Sequence, residues 1–137
     1  MSTPQELRLA QCAIALAGCV PVLAGGAGLL FGPTLTNAPW DAASDSHFRY
    51  LSGLLLGIGL AFWTCIPSLP HQTRRFRLLS AIVVLGGLAR LLALPLNGWP
   101  GTPMAAGLVM ELAVVPLLCL WQSRLARVTK ASSYAVP

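Results

Sequence analysis

The sequence predicts an all-α fold, a polytopic membrane four-helix bundle forming one transmembrane domain over residues 1–137. Three observations predict it. Of the 137 residues 55% are hydrophobic and 9% charged, with a mean hydropathy of +0.71; soluble domains carry about 25% charged residues. The apolar residues gather in four runs of about 20, each long enough as a helix to match a hydrocarbon core of about 30 Å. Short connectors rich in Pro, Gly, Asn and Asp separate the runs. A membrane barrel would alternate polar and apolar at every second position, which these runs do not. The charge deficit excludes both a soluble enzyme and a disordered tail. The net charge of +5 comes from nine Lys and Arg that form no basic face, so nucleic acid is not an expected partner.

The first span covers residues 7–30 and carries no charge after Arg8. Within it Leu16-Ala17-Gly18-Cys19 matches a lipoprotein cleavage box. Glu6 in the leading segment and the apolar continuation to Phe31 oppose processing, so an intact span is expected. The second span, 48–68, opens FRYLSGLLLGIGLAFW; the third is 77–96 and the fourth 104–122. Leu69–Arg75 reads as a basic turn, Asn97–Pro103 as an uncharged one, and the tail from Ala126 as a frayed end. Pro21 and Pro116 each remove a helical donor and are expected to bend the first and fourth helices.

Orientation follows from the cations. With four spans, Arg8, Arg74, Arg75, Arg77, Arg124, Arg127 and Lys130 share one side, leaving Arg49 and Arg90 near the other. Positive residues stay inside, so both termini are expected at the cytoplasmic face of the membrane. Trp40, Trp99 and Trp121 fall at span ends, where indoles favour the headgroup level.

Ionised groups within the spans carry the site prediction. Each costs about 2.5–3.5 kcal/mol at the bilayer centre, so such groups face protein or water. Arg90 lies about 20 Å along the third span from Arg77, and Glu111 about 10 Å into the fourth from the opposite end. In a core about 30 Å thick those depths coincide. Glycines sit four residues away from each charge: Gly53 for Arg49, Gly86 for Arg90 and Gly107 for Glu111. Residues four apart share a helix face, and small residues are where membrane helices approach. An Arg90–Glu111 pair is therefore expected, packed by Gly53, Gly57, Gly86, Gly87 and Gly107.

Three roles for that pair stay open. It is a structural clasp, or one part of an outer polar pocket, or a proton relay through Glu111. The pocket would comprise Arg49, Arg90, Glu111, His47 and Asp45 and would suit a small anionic or lipidic ligand, although Asp45, four before Arg49, offers to neutralise it. His47 reads as an interfacial anchor or a pH sensor. Cys12, Cys19, Cys65 and Cys119 contain no CxxC and read as small apolar fillers, so no metal is expected. No phosphate loop, Ser-His-Asp arrangement or HExxH helix occurs. No catalytic residue and no cofactor is expected.

The stretches FRYLSGLLLGIGLAFW and GGLARLLALPLNGWPGTP, with Glu111 in the fourth span, resemble a bacterial family of small four-span membrane proteins catalogued as a domain of unknown function. The matching positions are Arg49, Tyr50, Gly53, Gly57, Gly86, Gly87, Arg90, Gly98, Pro100 and Glu111, across residues 10–122. In architecture that family is similar to DoxX-like proteins. The resemblance implies an inner-membrane bundle and supplies no activity. The expected function is thus a non-enzymatic binding or scaffolding bundle, or alternatively a carrier for an anionic or lipidic ligand. Membrane lipids, another membrane protein or a second copy of the chain are the expected partners.

Overall fold

Long apolar runs without charge have no route to satisfying their backbone in hydrocarbon other than a helix, since each N–H must find a carbonyl within its own segment. The computed structural model follows that rule. It describes residues 4–35 and 41–134, which are helical apart from short turns and contain no strand. The helices are α1 (Pro4–Phe31), α2 (Ala42–Trp63), α3 (Thr73–Asn97), α4 (Thr102–Val109) and α5 (Val115–Tyr134), with a π-helical turn Met110–Val114 joining the last two. Single 3₁₀ turns cover Gly32–Leu35 and Leu69–His71. Trp40 lies outside the described residues.

Three stretches are long and apolar enough to cross a membrane: Pro4–Thr34, Thr73–Asn97 and Thr102–Ser132. Many of their leucines point away from the protein; Leu16, Leu23, Leu85 and Leu92 are each 65% or more exposed. Leaving one such side chain in water forgoes roughly 1.5–3 kcal/mol, whereas lipid tails accept it freely. The second helix is not among these stretches; its first two turns carry Asp45, His47 and Arg49.

Several boundaries differ from expectation, each for a local reason. The second helix stops at Trp63 rather than running to Ser68. Pro67 cannot donate and drives Ile66 out of helical geometry, so Cys65 and Ile66 close tight turns onto Phe62 and Trp63 instead. Arg74 and Arg75 belong to the first turn of α3, not to a connector. The part of the tail expected to fray that is described, from Ala126 to Tyr134, continues α5 as helix. Pro21 leaves α1 unbroken. At Pro116 the expected distortion takes the form of the π turn, in which the Val115 N–H reaches back five residues to the Met110 carbonyl. A proline ring and its missing donor disrupt the bonding of the turn before it, and a widened turn is one way to accommodate them.

The chain divides into two compact units, Ile14–Ile66 and Met1–Ala13 with Pro67–Pro137. In the first, α1 and α2 meet at Gly25, where an added Cβ would come 2.5 Å from the Leu56 backbone nitrogen. The Trp63 indole donates to the Ala15 carbonyl at 3.1 Å, tying the end of α2 to the first half of α1. In the second unit the core is Leu69, Phe76, Gln122 and Leu125, all 1% exposed or less. Gln122 is the polar member. Its Nε2 donates to the Leu69 carbonyl at 2.8 Å and to Thr73 Oγ1 at 2.9 Å, stitching the turn before α3 to α5.

Candidate functional site

Two arginines lie at helical positions within or beside the apolar runs, and their surroundings differ. Arg90 projects from the second half of α3 and Glu111 from the π turn. Arg90 Nη2 stands 3.2 Å from Glu111 Oε1, with the carboxylate side chain only 17% exposed. Arg90 Nη1 also points at Met104 Sδ, 3.5 Å away, a soft and weak acceptor. Glu111 Oε2 is buried without a hydrogen-bond partner among the described residues.

Two glycines make the approach possible. A Cβ at Gly87 would sit 2.9 Å from the Glu111 Cβ and 2.8 Å from Leu112 Cδ2, and one at Gly107 would sit 2.8 Å from Arg90 Nη1. The guanidinium thus lies across Gly107, and the π turn lies against Gly87. Of the other glycines expected to pack, Gly53 has only Leu29 Cδ1 at 4.0 Å from its would-be Cβ. A Cβ added at Gly57 or Gly86 would meet no atom within 4 Å among the described residues. The face bearing Arg90 is set by the glycine three residues back rather than four, a choice that helical spacing alone leaves degenerate.

Arg49 is held within its own unit. Its Nε donates to Asp45 Oδ2 at 2.9 Å, and its Nη1 to the carbonyls of Leu29 and Leu30 at 2.8 and 3.2 Å. Those carbonyls end α1, so Arg49 serves as a cationic cap where a helix leaves acceptors unpaired. His47 is exposed on the same helix, its ring 6.5 Å from that of Tyr50. Of the five residues expected in one pocket, Asp45, His47 and Arg49 lie in one compact unit, and Arg90 and Glu111 lie in the other. The positive charge expected to attract an anion at Arg49 is already answered by Asp45 and the end of α1.

Just outside the apolar part of α2, Asp41 caps the helix by accepting from the Ser44 N–H at 2.7 Å. Hydrogen bonds from the Ser44 side chain, and then from its backbone, hold the Asp41 carboxyl below the usual carboxylate range.

The sequence reading missed a polar layer at the other end of α3 and α5. Besides Gln122, it includes Arg77, whose Nε donates to Ser123 Oγ at 3.2 Å. Glu6 also belongs to it, receiving the Trp121 indole N–H at 3.4 Å with Arg124 Nη2 3.8 Å away. Trp121 is therefore tied to α1. The available signal was a Gln-Ser pair closing an apolar run four residues before Ala126.

Long apolar helices with exposed leucines, whose Arg49 and Arg90 are each paired with a carboxylate, mark the chain as a helical membrane protein. The profile of a family described as Domain of unknown function (DUF4345) matches residues 9–122, and the chain belongs to that family. The matched segment includes Arg49, Arg90 and Glu111 and stops at Gln122. No curated protein and no solved structure matches the chain.

Proposed function

We propose that this protein is a four-span component of a bacterial inner membrane with both termini at the cytoplasmic face. It acts there as a non-enzymatic binding or scaffolding bundle clasped by Arg90 and Glu111. The observation that carries the reading is the clasp itself: two oppositely charged side chains meet at 3.2 Å over glycines in helices otherwise sheathed in leucine. Three apolar stretches support the spans. For α2, its 22 residues reach about 33 Å, enough to cross with its charged turns at the boundary. The seven-to-two division of Lys and Arg supports the orientation.

The test is a charge swap. Arg90→Ala or Glu111→Ala strands one ion among apolar groups, at about 2.5–3.5 kcal/mol, and is expected to lower membrane abundance sharply. Arg90→Glu combined with Glu111→Arg restores abundance and whatever phenotype the deletion strain shows. If both alanine variants keep wild-type abundance and phenotype, the clasp has no role.

The alternative, a carrier for a small anionic or lipidic ligand, draws on the open side of Arg90, 36% exposed beside the unpartnered Glu111 oxygen. Its mark is normal abundance of Arg90→Ala with the phenotype lost.

A further inference from the structure

The chain has nine Lys and Arg against four acids, and the acids are all engaged. Glu6 meets Trp121 and Arg124, Asp41 caps α2, Asp45 holds Arg49 and Glu111 holds Arg90. Among the described residues, Arg77, Arg127 and Lys130 have no carboxylate. These three line a hollow of about 450 Å³ between the start of α3 and the second half of α5, with His71 and Thr73 on its wall. Arg127 and Lys130 are three apart on one helix, so both reach the same face. Arg77 stands opposite, its Nε anchored by Ser123, which leaves the outer nitrogens of its fork free for a bidentate acceptor.

A second hollow, about 590 Å³, shares Arg77, Ser123 and Arg127 with the first and continues toward the middle of α3. Its walls are apolar: Ala81, Val84, Pro116 and Leu120. One wall residue breaks the pattern. Ser80 is 4% exposed, and its hydroxyl has no hydrogen-bond partner, a rare state for a buried polar atom. From Arg77 to Val84 the helix rises about 10 Å, from its charged first turns into its apolar length. Charge therefore gathers at one end of this apolar stretch and the apolar hollow opens beside its length, the order in which a phospholipid presents its phosphate and acyl chains.

We infer that this groove between α3 and α5 binds one anionic phospholipid. Its phosphate lies among Arg77, Arg127 and Lys130, an ester oxygen faces the Ser80 hydroxyl, and an acyl chain lies along Val84, Pro116 and Leu120. The site is separate from the Arg90–Glu111 clasp and needs only that α3 and α5 lie in a membrane, so the clasp and this site fail independently. A phosphate group is the shared chemistry of a lipid headgroup and the free ion, and the apolar hollow selects the lipid.

The experiment uses the full chain, delipidated in an uncharged detergent and titrated with phosphatidylglycerol, phosphatidylcholine or inorganic phosphate. Bound lipid is counted by native mass spectrometry. One phosphatidylglycerol per chain is expected, at least tenfold tighter than phosphatidylcholine, with no competition from inorganic phosphate at equal concentration. Arg77→Gln with Arg127→Gln is expected to weaken binding tenfold or more. Arg74→Gln with Arg75→Gln removes the same charge from exposed positions outside the hollow and is expected to change it less than twofold. Val84→Trp keeps every cation and fills the apolar hollow, so it too is expected to weaken binding, and it answers the question if the double arginine variant fails to fold. Equal losses in the two double variants would mean diffuse attraction and overturn the site. Unchanged binding in Val84→Trp, or free phosphate binding as tightly as the lipid, overturns the groove.

Discussion

Arg49 and Arg90 are the same side chain solving the same problem by different means. Arg49 finds its partners locally. Asp45 is one helical turn away on α2, and the carbonyls it caps end the preceding helix. Arg90 reaches across to a residue 21 positions distant, and the pair leaves one carboxylate oxygen without a donor. Local pairing fills a helix end that would otherwise need water. The long-range pair instead makes the position of one helix depend on another, so its loss is felt as a loss of packing.

The comparison breaks most visibly at the tandem glycines of α3. Gly87→Val pushes a side chain into Glu111 and Leu112 and is expected to destabilise the protein by about 1–3 kcal/mol, through overpacking, in reversible unfolding from detergent. Gly86→Val, one residue earlier and facing open space, is expected to stay within about 0.5 kcal/mol. Equal effects would mean that the ion pair does not depend on close approach at Gly87. Arg49→Ala comes next. It removes an i, i+4 pair and a C-terminal cap, together worth up to about 1 kcal/mol, and half-exposure makes the effect shrink with added salt. A salt-independent loss as large as that at Gly87 would erase the distinction between the two arginines.

The smallest expected effect is at Asp41. Its carboxyl is depressed in the folded state, so its contribution is complete above the ordinary carboxylate pKa and disappears as pH falls through the lowered folded value. Hydrogen exchange at the Ser44 amide, corrected for its intrinsic pH dependence, is expected to lose protection across that acid range. In Asp41→Asn the step in protection vanishes, because an amide caps without titrating.

Much of this was legible in the residues, because hydrocarbon enforces simple rules. Uncharged runs of about 20 became helices, and an acid and a base at matching depth met. What escaped were choices among near-equals. Gly86 and Gly87 lie at both spacings that share a face with Arg90, and only the contour of Leu112 decides between them. The end of α2 at Trp63 turns on Pro67, four residues further on, inside an otherwise continuous apolar run. Gln122 looked like the polar edge of a span, yet the Leu69 carbonyl and Thr73 draw it fully inside. Such contacts join positions about fifty apart, which no periodicity encodes.

The π turn at Met110–Val114 takes in one residue more than an α-helical revolution and absorbs it within that revolution. Side chains beyond the bulge are therefore turned by about 100° from where an uninterrupted α-helix would set them. Glu111 lies inside this one storey and meets Arg90, while Gln122 and Ser123, two storeys beyond, meet Leu69, Thr73 and Arg77. The extra residue thereby fixes the angle between two fittings on one rod.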